Sequence, residues 1–144
     1  DDIRYGLGVV RSRTERSGET GSTESYRQLA ERVAAEFGIQ MVAMTLRERA
    51  TGTDNTWSGL LYEQGSNTLF ESAHYPVAVV EPIGASDAFT AGLIYAVLAG
   101  RSAERALAFA VAAGALKHTI PGDYNRVSAA EVDRLATGEA SLQR

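Results

Sequence analysis

The chain has 144 residues, 44% hydrophobic and 22% charged, which is enough for one globular domain with a real core. A net charge of -4 argues against a nucleic-acid or anionic-membrane partner, and the lack of cysteine excludes disulfides, Cys-ligated zinc and thiol catalysis and fits a reducing cytoplasm. No apolar run reaches transmembrane length, and the opening DDIRYGLG starts acidic, without the apolar core of a signal peptide. It also lacks an initiator Met, so the chain is expected to be part of something longer or processed.

In chain order, residues 11–22 (RSRTERSGETGS) read as a polar loop. A helix is expected from about Thr23, with Tyr26, Leu29, Val33 and Phe37 as its apolar stripe and Gly38 as its C-terminal cap. IQMVAMT (39–45) reads as a buried strand, and 47–55 as a polar loop. TWSGLLY (56–62), the turn EQGSN and TLFES (68–72) form an expected hairpin. PVAVV (76–80) is a further strand. Helices are expected over 86–99 and over 103–117, the second capped by Ser102. Pro121-Gly122-Asp123 is a turn, and Ser128 with Glu131 makes a capping box that opens a last short helix. This α/β order, with fully apolar strands between helices, predicts a mainly parallel sheet covered by helices on both faces, plus the β-hairpin. Ligands in such sheets bind beyond the carboxyl ends of the strands. Two of those ends, Thr45–Glu48 and Glu81–Asp87, carry polar loops that would share a crevice if their strands lie side by side.

The segment from Val79 to Phe89 carries the chemistry. An apolar run ends at Glu81, a Gly84-Ala85-Ser86 turn follows, and Asp87 stands where a buried helix, AFTAGLIYAVLAG, begins. Unpaired N–H groups and the macrodipole favour an anion at such a helix start. Asp87 there is either an ordinary first-turn acid or a base beside a bound phosphate. Arg47 is either a solvated loop residue or a phosphate contact. Thr45 is a strand-end residue with the same choice, and Asp123 is by default a turn residue. His74 and His118 have no metal-ligand spacing.

GASDAFTAGLIYAVLAG resembles the second signature of the ribokinase-like (PfkB) carbohydrate kinases, whose core reads G-A-G-D-x-F-x-x-G. The run AVAAGALKHTIPGDYNRVSAAEV, the MTLRE loop, the WSGLLY strand and the terminal LQR are similar to the 2-keto-3-deoxygluconate kinases within it. The resemblance covers about residue 23 to the end, and corresponds to the ATP-side, C-terminal half of the family fold as a single domain over 1–144. It implies that Asp87 is the catalytic base, that Gly84, Ala85 and Ser86 form the anion hole, and that Thr45, Leu46 and Arg47 border the nucleotide phosphates. It further implies an adenine pocket near Ala112 and Ala113, a sugar-acid contact at Asp123, and ATP with Mg²⁺ as cofactors. Asp2 would be the final acid of an N-x-x-E type motif that organises Mg²⁺. Ser86 replaces the third residue of G-A-G-D, Glu81 stands where the family has Asp, and the sugar-binding and lid half of the family fold is missing from the chain.

The expected activity is transfer of phosphate from ATP to a sugar acid, 2-keto-3-deoxygluconate, with this chain supplying the nucleotide side. A second reading is a truncated, non-catalytic nucleotide-binding or interaction module. A third keeps the kinase and changes the sugar. A sheet cut at its middle leaves an unpaired edge and an apolar face, so the chain is expected to form a homo-oligomer or to pair with an N-terminal half.

Overall fold

The structure is a computed structural model and describes residues 22–49 and 54–142. These contain four helices, α1 (Thr23–Phe37), α2 (Ala85–Leu98), α3 (Ala103–His118) and α4 (Ala129–Ala136). They also contain four strands, β1 (Met41–Arg49), β2 (Asp54–Glu63), β3 (Thr68–Glu71) and β4 (Tyr75–Ala78). Asp2 lies outside the described residues. The rest divide into two compact units, 22–42 with 62–69 and 43–61 with 70–142.

In the first unit, Ser22 caps α1 by accepting from the Ser25 N–H at 3.3 Å, and Gly38 ends the helix in a left-handed conformation, φ 64°. The buried face of α1 is Ala30, Val33 and Ala34, whereas Phe37 is 48% exposed. The expected stripe is therefore rotated, because the small alanines at i and i+4 form the packing face and Phe37 falls in the last turn. The turn between β2 and β3 is tied by the Gln64 N–H to the Gln40 carbonyl, 2.9 Å. Asn67, at φ 50°, accepts from the Tyr62 hydroxyl (3.0 Å) and the Arg27 guanidinium (3.4 Å).

The sheet runs β1-β2-β3, with β4 also on β2, and it is antiparallel where a parallel one was expected. Asp54 pairs with Ala78 and Trp57 with Tyr75. The reason is connection length: four residues join β2 to β3 and three join β3 to β4, too few for the crossover of a dozen or more that parallel neighbours need. β3 and β4 are successive pieces along the same edge of β2, and Pro76 is accommodated on that edge strand. Every residue of β2 from Trp57 to Tyr62 is buried, so the strand is covered on both faces despite its hairpin origin.

In the second unit, α3 packs on β2. A Cβ on Gly59 would stand 2.8 Å from Val111 Cγ2, so only glycine allows the approach. The Trp57 indole donates to the Val111 carbonyl at 3.1 Å, satisfying a buried donor whose isolation would cost about 1–3 kcal/mol. Helix α2 packs on α3 at Gly92, where an added Cβ would meet Ala113 Cβ at 3.1 Å. α2 was expected to be buried, but only Ala85, Ala88, Phe89, Gly92 and Ala96 are. Ile94, Tyr95, Val97 and Leu98 remain exposed, Leu98 at 82%. Helix α4 is joined to the end of α2 by Arg101, which pairs with Asp133 through Nη1–Oδ1 and Nη2–Oδ2, the latter 3.0 Å, and stacks over Phe109 at 4.5 Å. Among the described residues no helix is long and apolar enough to cross a membrane.

Candidate active site

The site is built where the sheet releases the chain. β4 stops at Ala78, two residues short of the expected strand, because the N–H groups of Val80 and Glu81 turn to the His118 carbonyl, at 2.8 and 3.2 Å. Val80 is left 60% exposed. Glu81 Oε1 then accepts from the Ile83 N–H at 3.0 Å, so this carboxylate braces the loop from inside.

Gly84 follows as the N-cap of α2 at φ 81°, a left-handed conformation that favours glycine. A Cβ there would be driven into the Asp123 carbonyl oxygen and would lie 3.2 Å from Lys117 Cε. The Gly84 turn and the turn after α3 are thus in direct contact. Gly84 offers no side-chain acceptor to the helix. Among the described residues, no acceptor reaches the N–H groups of Ala85, Ser86 or Asp87, and the first closed bond is Ala88 N–H to Gly84 carbonyl, 2.9 Å. Ala85 is buried, while Ser86 and Asp87 are exposed. The Ser86 side chain is not engaged with the neighbouring amides in any bond among the described residues; its carbonyl accepts from Thr90 Oγ1 at 2.9 Å. Three free donors and an exposed carboxylate on one helical turn can receive an anion and a proton side by side.

The other expected site residues divide. Thr45, Leu46 and Arg47 lie within β1 rather than on a loop, since the strand continues to Arg49. β2 stands between β1 and β4, so the two strand ends are not neighbours. Arg47 is exposed, and its charge acts on His118. Ala112 and Ala113 are buried, Ala113 against Gly92, which makes them packing positions in α3. Asp123 is exposed and reaches the turn through its backbone. Lys117 was not among the expected site residues, and Glu81 was singled out only as the acid before the turn. The signal for Lys117 was present, because a helix of alanines with almost no polar side is buried all round, and a lysine on it is carried inside.

His118 is structural. Its Nδ1 is 2.8 Å from the Gly114 carbonyl, and its ring meets Trp57 edge-on at 4.7 Å. Burial holds its pKa below the usual 6.5, with the Arg47 and Lys117 charges acting the same way and the Gly114 bond opposing. Among the described residues no group of three or more His, Asp or Glu could hold a metal ion.

Comparison with known proteins identifies the family. Residues 14–130 match the pfkB family of carbohydrate kinases. A 2-dehydro-3-deoxygluconokinase from Thermotoga maritima superposes with a TM-score of 0.83 at 36% identity, over 95% of this chain and 39% of that one. A 2-dehydro-3-deoxygalactonokinase from Haloferax volcanii is 33% identical over 81% of this chain and 34% of its own length. An Arabidopsis thaliana ribokinase is 33% identical over 80% of this chain and 30% of its own. The chain spans about a third of the length of these curated relatives. A left-handed glycine opening a helix with free amides beside an exposed aspartate is found here in a chain that belongs to the pfkB family of carbohydrate kinases.

Proposed function

We propose that this chain is the nucleotide-side, C-terminal half of an ATP-dependent sugar-acid kinase. The complete protein phosphorylates the 6-hydroxyl of 2-keto-3-deoxygluconate and releases ADP. The observation that carries the reading is the start of α2, with three unpaired N–H groups next to the exposed Asp87. Likeness to a deoxygluconokinase and a deoxygalactonokinase supports the sugar-acid class.

In this reading Asp87 accepts the hydroxyl proton as the oxygen attacks the γ-phosphorus. The amides of Ala85, Ser86 and Asp87 receive the equatorial oxygens of the transferring group, where negative charge is spread in the transition state. Placing both functions on one helical turn fixes their separation, and positioning is most of what phosphoryl transfer requires. Asp123 contacts the sugar acid. When bound with ATP, Mg²⁺ would supply positive charge to the phosphates.

The test is Asp87→Asn in the complete protein. Turnover is expected to fall by about 10²–10⁴, the usual span for a lost general base, with nucleotide affinity little changed. Unchanged turnover removes Asp87 as the base.

A further inference from the structure

Lys117 is the last residue but one of α3, and its side chain has no exposed surface, 0%. A lysine at a helix C-terminus normally extends its ammonium to water while its stem packs. Here the ammonium stays inside. Its Nζ donates to the Ile120 carbonyl at 3.3 Å, and its Cε lies 3.2 Å from where a Cβ on Gly84 would stand. Among the described residues no carboxylate is within ion-pair distance of it. A buried charge is costly unless a counter-charge or a full set of hydrogen bonds offsets it, and one carbonyl is a partial offset. The element it touches is the turn that leaves three N–H groups free for an anion.

We propose that Lys117 is a positioning residue for phosphoryl transfer: its stem holds the Gly84 turn in its left-handed form, and its buried ammonium adds positive potential behind the amides that receive the phosphoryl group. The counter-charge arrives with the substrate. The proposal rests on the kinase reading above and deepens it. It also accounts for the contact between the two turns. The Ile120 carbonyl fixes the ammonium, the Asp123 carbonyl abuts Gly84, and the His118 carbonyl ties Val80 and Glu81, so the segment from His118 to Asp123 is a template for the anion loop.

Two variants of the complete protein test it, Lys117→Met, which keeps the length without the charge, and Lys117→Gln, which keeps a donor for Ile120. Steady-state kinetics with ATP and 2-keto-3-deoxygluconate, calorimetric affinities for ATP and for ADP, and Tm are measured. Both variants are expected to lose at least about tenfold in kcat, with KM for the sugar acid within about threefold. ATP affinity should weaken more than ADP affinity, because the potential acts on the terminal phosphate. Tm of Lys117→Met should hold or rise, as replacing a buried charge by an apolar group often allows. Full kcat in either folded variant, or equal loss of ATP and ADP affinity, overturns the proposal. Failure of both variants to fold makes Lys117 a structural residue and overturns it too. If the unmodified protein shows no turnover, the kinase reading fails on that result, and the comparison of ATP with ADP still decides the role of Lys117.

Discussion

The start of α2 differs from the starts of the other three described helices. Ser22, Ser102 and Ser128 each accept from a backbone N–H of the helix they open, at 3.3, 3.4 and 3.3 Å. Ser128 goes further and forms a reciprocal capping box with Glu131. Gly84 has no side chain with which to close any of the N–H groups that open α2. A glycine cap is only a few tenths of a kcal/mol worse than serine, so leaving those N–H groups open costs little stability. What holds the start of α2 in place is tertiary contact: Gly84 lies against the Asp123 carbonyl and Lys117, and Val80 and Glu81 are bonded to His118. The serine-capped ends are finished locally. The glycine-capped end depends on a segment more than thirty residues away in sequence and keeps its donors free.

That difference can be broken at several points. The largest effect is expected from Gly84→Ala. Left-handed strain of about 1 kcal/mol and overpacking of about 1–3 kcal/mol together predict a loss of about 2–4 kcal/mol. Urea unfolding measures it, and a loss below about 1 kcal/mol would mean that the turn is not pinned against Asp123. Ser128→Ala removes one local cap and should cost about 1 kcal/mol while leaving ATP affinity unchanged. A matching loss of ATP binding would contradict the separation of local from tertiary helix starts.

The smallest effect is a pH dependence of the docking segment itself. His118 has its pKa lowered in the folded state, chiefly by burial, so the unfolded chain binds the proton more readily. Its contribution is therefore fully present above the ordinary value of 6.5 and is lost as pH falls through the lowered folded value. The slope there should be a fraction of the one-proton limit of about 1.4 kcal/mol per pH unit. Tm followed from pH 7.5 downward, with His118→Gln as the reference, checks this; parallel curves for the two proteins would exclude it.

Several of these features were legible before the fold was known. Ser102, Ser128 with Glu131, and Gly38 announced helix ends because capping is a short-range matter. The Gly84–Asp87 turn was legible for the same reason, together with its resemblance to the carbohydrate kinases. Sheet direction was misread. Apolar strands suggested a parallel sheet, while the short connections between β2, β3 and β4 required antiparallel pairing. The strand was expected to end at Thr45 with a loop from Arg47, yet β1 continues to Arg49, since an antiparallel hairpin can present polar side chains to water. The apolar run of α2 read as a buried helix, and the described residues cover only one side of it.

By itself the sequence determined the helix limits, the open helix start with its aspartate, and the family to which these motifs belong. Each depends on residues within a few positions of one another, where backbone geometry and capping chemistry act directly. Tertiary structure alone decided that the turn after α3 abuts Gly84, that Glu81 braces its own loop, that Ala113 packs against α2, and that the Lys117 side chain lies against the Gly84 turn. Those facts depend on contacts between segments distant in the chain, and local order does not contain them: the periodicity of α3 carries Lys117 inside, but only the packed structure sets it against Gly84.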